Sequence, residues 1–252
     1  MASSTLMLHC GAREICFEEL RDVAPPLPSG RWYPIAHARV VHLARHMLKD
    51  AGYEIKREKL GISQDNHRFF GVLDLATPIA DGVSLSVGLR NSTDKTFPIG
   101  FAAGTRVFCC DNLAFKAELI VKKRHTLNGE TNFTEGITGA VGTLSSFKEI
   151  EAVRVQKFFN TELSADQADA IILRALERNM IGIRDLGRVI RHWRTPEHEQ
   201  FMPRTAWSLL NAFTSALKDR SEKHPAQYAV QTMRLNALIE NSNQTPLLSL
   251  TA

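Results

Sequence analysis

The chain has 252 residues, of which 44% are hydrophobic and 23% are charged. This composition is typical of a soluble globular protein with a sizeable core, and it excludes wholesale disorder. No stretch approaches the ~20 apolar residues that a membrane-spanning helix requires, so we expect no membrane association.

The net charge of +4 is unevenly distributed along the chain. Residues 1–126 hold 17 Lys and Arg against 13 Asp and Glu, and the remaining residues hold 14 against 14. The whole positive excess therefore lies in the first half. Such an asymmetry is compatible with an anionic partner such as nucleic acid, but it is too small to demand one.

Cysteine and histidine spacings give no metal site. The four cysteines contain no Cys-x-x-Cys pair, and adjacent cysteines rarely bridge. They are Cys10, Cys16, Cys109 and Cys110. His42 and His46 are four apart, as on a metal-binding helix, but no third ligand accompanies them. We expect no metal, no cofactor, and a reduced cytoplasmic protein.

The first elements are predicted from periodicity and turn residues. Apolar residues at helical spacing predict a helix over Ile35–Ala51, with Pro34 in its first turn and Gly52 as its stop. The segments Tyr53–Ile62 and His67–Ala76 then read as the two strands of a hairpin.

Alternating residues predict further strands up to Thr126. Val83 to Arg90 alternate between apolar and polar, which is typical of a half-buried strand. Asn91 to Asp94 favour a turn, and a strand resumes close to Pro98. Gly104 is predicted to mark a hairpin-like return, and Ala117–His125 forms another strand.

Beyond Thr126 the pattern becomes helical. The segment Thr134–Asn160 forms one long or one broken helix, and Ser164 to Gln167 is a capping box that starts the next. Three more helices are predicted, over Ile183–Trp193, after Pro203 and after Pro225.

The fold class that follows is α+β. We predict an antiparallel sheet in the N-terminal half, packed by several helices, and an all-helical C-terminal half. Residues 1–240 form one domain, strand-rich over 1–126 and helical over 127–240, and residues 241–252 form a mobile tail.

The sequence contains three distinctive motifs, which are RNSTDKTFPIGFAAG, RVFCCDNLAF and KKRHT. They resemble those of a phage- and plasmid-associated family known as domain of unknown function 932. The family carries no established reaction to transfer. Cys109 departs from the pattern, where an aliphatic residue is expected. The resemblance implies that seven residues occupy motif positions: Asn91, Asp94, Arg106, Cys110, Asp111, Asn112 and His125.

The first functional hypothesis is a nucleic-acid-binding protein, for single-strand binding or annealing. The order of a helix, several strands and a long helix also resembles the core of single-strand annealing proteins, which is a fold-level analogy. Phe69, Phe70 and Phe108 either stack on bases or belong to the core. The basic residues proposed to line a phosphate groove are Lys56, Arg57, Lys59, Arg90, Lys122, Lys123 and Arg124.

The second hypothesis is an enzyme, with Asp94, Asp111 and His125 as catalytic candidates beside Asn91 and Asn112. His125 would act as a base oriented by Asp111. The alternative is that the Asp and Asn residues shape turns and pair with nearby cations. A third hypothesis is a regulatory or assembly protein with a protein partner, and homo-oligomerisation fits the first and third hypotheses.

Overall fold

The computed structural model describes residues 13–107, 112–219 and 225–242. Its centre is a six-stranded sheet in which the strands follow chain order and every neighbouring pair is antiparallel. The strands are β1 Arg13–Glu14, β2 Ile55–Ile62, β3 Arg68–Ala80, β4 Val83–Ser92, β5 Ile99–Val107 and β6 Asn112–Lys123. The sheet in the first half and the helices that follow confirm the α+β class.

Turn chemistry explains how the strands are joined. The β2–β3 turn places Asn66 at a φ of 58°, and the β3–β4 turn places Gly82 at 67°, both in the left-handed region. β5 starts at Ile99, directly after Pro98, as predicted. The predicted return at Gly104 is wrong, because Gly104 lies inside β5, where the pairing with β6 is interrupted by a register shift.

Eight helices are described. They are α1 Phe17–Arg21, α2 His37–Asp50, α3 Gly129–Gly142, α4 Leu144–Asn160, α5 Ala165–Glu177, α6 Ile183–Arg194, α7 Ala206–Ala216 and α8 Pro225–Ser242. α2 begins two residues later than predicted, so Pro34 lies before its N-cap, Ala36. The segment Thr134–Asn160 is a broken helix, interrupted at Thr143. The capping box at Ser164 is formed as predicted.

The two faces of the sheet differ in composition. Side chains of directly paired residues share a face, and neighbours along a strand point to opposite faces. The inner face carries Leu85, Val87, Leu89 and Asn91 of β4, and all four are buried. The outer face carries Gly88 and Arg90 of the same strand.

Helices α2 and α3 pack on the inner face, and the hydrophobic core continues from there through the later helices. His37 of α2 stacks on Phe69 of β3, with ring centroids 5.6 Å apart. On α3, a Cβ at Gly136 would lie 2.6 Å from Cγ1 of Val121, so the helix lies close against β6 because this residue is glycine.

The later helices contact the sheet at β3 and β6. α4 contacts β3, and both α7 and α8 contact β6. Between α4 and α8 a buried polar cluster forms, in which Arg154 binds Glu151 and Asn236. The predicted tail began at residue 241, but α8 continues to Ser242, and residues 243–252 lie outside the described part of the chain.

Candidate functional site

Two motif residues meet at one backbone position, Ile35. The Asn91 side chain on β4 donates from Nδ2 to the Ile35 carbonyl oxygen at 2.8 Å. The Ile35 N–H donates to Nδ1 of His125, just beyond β6, at 3.0 Å. Residues Ile35, His37, Asn91 and His125 are called the Ile35 clasp here. The clasp fastens the segment before α2 to the end of the sheet.

His37 is held as a neutral side chain within the clasp. Its Nε2 lies 3.0 Å from the Asn66 carbonyl oxygen, which can only accept, so Nε2 carries the hydrogen. Its Nδ1 therefore accepts from Nδ2 of Asn91 at 3.0 Å. The pKa of His37 is lowered to about 4. Burial is the main cause, and the neighbouring His125 contributes to the same shift.

His125 is buried and neutral for the same reason. Because its Nδ1 accepts from Ile35, its Nε2 carries the hydrogen. Burial lowers its pKa, and the backbone of Ser92 and Tyr33 partly offsets that shift. In the described part of the chain, neither Nε2 of His125 nor the buried Oδ1 of Asn91 has a hydrogen-bond partner.

Asp94 shapes the β4–β5 loop. Its Oδ1 accepts from the Thr96 N–H at 3.0 Å and from the Thr96 hydroxyl, and its Oδ2 accepts from Nε of Arg68 at 2.7 Å. Burial alone would raise the pKa of Asp94, but these hydrogen bonds hold it well below its usual range. Asp94 therefore acts as a turn-forming carboxylate.

The catalytic candidates are thus divided among separate partners. Within residues 13–107, 112–219 and 225–242, no hydrogen bond joins Asp94 to His125. Asp111 and Cys110 lie outside the described residues, as does Phe108. Arg106 lies on β5, where its backbone pairs with Leu113, and Asn112 begins β6. The known contacts of Asp94 and His125 hold the fold together.

A second cluster lies on the outer face, at the end of the sheet near the β4–β5 loop. Phe70, Arg90, Gly100 and Lys122 are directly paired across strands β3 to β6 and so share this face. Phe70 and Arg90 are half-buried and Lys122 is exposed. Further along the same face, Asp74 is buried.

The Arg90 side chain lies over Gly100 of the neighbouring strand. A Cβ at residue 100 would lie 2.9 Å from both Cγ and Nε of Arg90, so the glycine leaves the space that this side chain occupies. Its guanidinium carbon lies 5.4 Å from the centroid of the Phe97 ring. Burial lowers the pKa of Arg90, and no carboxylate in the described part of the chain forms an ion pair with it.

Phe97 is held in place by Ser92. The Ser92 hydroxyl donates to the Phe97 carbonyl oxygen at 2.9 Å and accepts from the Phe97 N–H at 3.1 Å. The Phe97 ring also contacts the Phe70 ring, with centroids 5.3 Å apart. The β4–β5 loop therefore presents an ordered aromatic ring beside Arg90.

Comparison with protein families gives one match. The sequence model described as Domain of unknown function (DUF932) matches residues 27–239. This chain belongs to the DUF932 family. No curated protein and no solved structure matches it. The segments RNSTDKTFPIGFAAG and KKRHT meet in the Ile35 clasp through Asn91 and His125, and the first segment also supplies Arg90 and Phe97 on the outer face.

The basic residues predicted to line one groove are divided between surfaces of this DUF932 protein. Lys122 is on the outer face, whereas Lys123 is paired with Ile99 on the inner face. A Cβ added at Gly136 of α3 would lie 3.3 Å from Cε of Lys123. Arg124 is exposed beyond the end of β6.

The basic residues of β2 belong to different environments. Arg57 on the outer face donates to the buried Asp74 at 2.8 Å. Lys59 is half-buried on the same face, and Lys56 is exposed at a register shift between Ile55 and Arg57. The described structure therefore unites Arg57, Lys59, Arg90 and Lys122 on one face.

Sequence reasoning missed Phe97 and Gly100. Of the aromatic residues it named, Phe69 is fully buried in the core and Phe70 is next to Arg90. The available signal was that Arg90 and Gly100 stand on either side of a loop that contains Phe97. Among the described helices none is long and apolar enough to cross a membrane. The described residues also contain no group of His, Cys, Asp and Glu side chains suited to holding a metal ion.

Proposed function

We propose that this DUF932 protein binds single-stranded nucleic acid on the outer face of its sheet, with Arg90 and Lys122 contacting phosphates. The observation that carries the proposal is the half-buried guanidinium of Arg90, which forms no ion pair in the described residues. Charged groups that lose water normally gain a partner of opposite charge. An anionic ligand supplies that partner.

The surroundings of Arg90 favour binding of an anion. Gly100 leaves room for its side chain and Phe97 lies beside its guanidinium, so less side-chain freedom is lost when a ligand binds. Arginine presents several donors in a planar fork that matches the geometry of phosphate. Arg90 is therefore better suited to phosphate than a mobile surface lysine.

Lys122 extends the basic surface across the sheet. It lies two strands away from Arg90, on the same face, which corresponds to roughly 10 Å at the usual strand spacing. An exposed lysine and a half-buried arginine at this separation suit the repeating charges of a polymer. Counterion release supplies the affinity of such contacts.

The proposal includes annealing of complementary strands in a phage or plasmid setting. The element order of a helix, several strands and a helix resembles that of annealing proteins at the level of fold, although the expected long helix is divided into α3 and α4. An annealing assay with two dye-labelled complementary strands tests it. If the protein binds single strands without accelerating their pairing, the annealing part fails and the binding part stands.

Fluorescence anisotropy with labelled oligothymidylate at varied salt concentration tests the binding proposal. We expect affinity to fall steeply with salt, and Arg90→Ala to reduce the logarithmic slope by ~0.7, the value of one lost phosphate contact on a single strand. Arg188→Ala is the matched control, because Arg188 on α6 is already paired with Asp185 at 2.8 Å and Asp219 at 2.7 Å. It should leave the slope unchanged.

Two results would overturn the proposal. One is the absence of binding at low salt by protein whose circular dichroism shows it to be folded. The other is equal competition by polyglutamate, which carries repeated negative charge without bases or phosphates and would mark the surface as a site for acidic proteins.

A further inference from the structure

We propose that the guanidinium of Arg90 is a stacking platform for one unpaired nucleobase. This inference rests on the proposed nucleic-acid binding and specifies which part of the ligand is recognised. A guanidinium is planar, and Arg side chains stack on bases of single strands. At Arg90 the planar group is already positioned beside an aromatic ring.

The surroundings of Arg90 stabilise one orientation of its side chain. The Phe97 ring lies on one side, 5.4 Å from the guanidinium carbon, and Phe70 adjoins that ring. The Ser92 hydroxyl fixes the Phe97 backbone through both its N–H and its carbonyl. A base stacked on the other side of the guanidinium would leave the contact with Phe97 intact.

Small residues lie next to Arg90 on the outer face, beside the buried Val72 that pairs with Gly88. Gly88 and Ala102 are directly paired on the outer face, one position along the face from the Arg90–Gly100 pair. Both are partly accessible to solvent, and their side chains are absent or a single methyl group. A flat ring can therefore approach the sheet beside Arg90 without displacing a larger side chain from these two positions.

This arrangement favours single strands over duplexes. In a duplex both faces of each base are covered by neighbouring bases, whereas an unpaired strand can expose a base face for stacking. Stacking does not depend on a particular base edge, because every base has a π-face. The platform should distinguish single strands from duplexes while tolerating different sequences.

The test compares oligothymidylate with an abasic oligonucleotide that has the same number of phosphates, using the full chain. We expect the unmodified protein to bind oligothymidylate roughly tenfold more tightly, within the range of one base stack. Arg90→Lys keeps the charge but lacks the plane, so it should lose this preference and retain the salt slope. Lys122→Ala should retain the preference and lower the slope by ~0.7.

The outcomes separate this inference from the proposed function. Equal binding of the two oligonucleotides by the unmodified protein overturns the stacking platform and leaves phosphate binding standing. Retention of the preference by Arg90→Lys overturns the assignment to Arg90. Failure of the folded protein to bind either oligonucleotide overturns both proposals.

Discussion

Arg90 and Asn91 are neighbours in sequence but lie on opposite faces of the sheet. On the inner face, Asn91 is completely buried and its amide nitrogen binds both Ile35 and His37. On the outer face, Arg90 is half-buried and forms no ion pair within the described residues. The Asn91 side chain is hydrogen-bonded within the protein, whereas the Arg90 guanidinium can still bind a ligand.

This difference indicates that one short segment can serve both faces of the sheet. Residues of the inner face hold α2 against the sheet, whereas those of the outer face present a cation and an aromatic ring. A motif of polar residues therefore need not form one active centre.

Asn91→Ala should destabilise the protein by about 2–4 kcal/mol, because it removes two buried hydrogen bonds and leaves the Ile35 carbonyl and Nδ1 of His37 without that partner. Urea denaturation followed by circular dichroism measures the change. Arg90→Ala is the comparison from the outer face and should cost less than about 1 kcal/mol. Similar losses in both variants would contradict the division into two roles.

Stability should fall as the pH is lowered from 6.5 towards 4. The pKa of His37 is about 4 in the folded protein against an ordinary value of 6.5, so the unfolded chain takes up the proton first. The stabilisation that depends on neutral His37 is complete above its ordinary pKa of 6.5. It is lost as the pH falls, by at most about 3 kcal/mol. His125, whose pKa is also lowered, acts in the same direction.

Urea denaturation at several pH values above ~4.5 measures this effect before most carboxylates take up protons. His37→Gln lacks the titrating ring and should lose most of the pH dependence. If the unmodified protein has the same stability across this range, the histidines of the Ile35 clasp are not buried as neutral side chains.

Gly100→Ala tests whether the outer face requires a positioned arginine. The added methyl group would lie 2.9 Å from Cγ and Nε of Arg90, and the flexible side chain must move away. We expect weaker binding of oligothymidylate, approaching that of Arg90→Ala, with a stability change below about 1 kcal/mol. Unchanged affinity would show that the position of Arg90 over Phe97 is unimportant for binding.

Two adjacent lysines should differ in how much they contribute to the salt dependence of binding. Lys122→Ala should lower the logarithmic salt slope by ~0.7, whereas Lys123→Ala should leave it nearly unchanged, because Lys123 lies on the inner face beside α3. Salt titrations of binding measure both slopes. Equal slopes for the two variants would indicate that the strand does not follow the outer face.

Much of the sheet was predictable because its signals are local. Alternation over Val83 to Arg90 and the turn residues around Asn66 and Gly82 gave the hairpins, since strand period and turn geometry depend on neighbouring residues. The register shift at Gly104 was mistaken for a turn, because an isolated glycine is compatible with either an irregular strand or a chain reversal.

The site was less predictable because its contacts are distant. The sequence indicated Arg90 and Lys122 as basic residues, but the separation of Lys123 from Lys122 depends on strand register. The sequence did not indicate the role of Ile35 in the site, because Ile35 takes part through its backbone, and every residue except proline has the same N–H and carbonyl groups.

The Ile35 clasp also constrains the order of folding. The two residues that bind Ile35 are distant in sequence. Asn91 lies 56 positions later in the chain, and His125 lies 90 positions later. Closing such long loops is slow compared with forming a local hairpin, so the start of α2 should be fixed only after β6 has joined the sheet. Pulse-labelling hydrogen exchange during refolding should therefore find the Ile35 amide protected later than the amides of the β2–β3 hairpin.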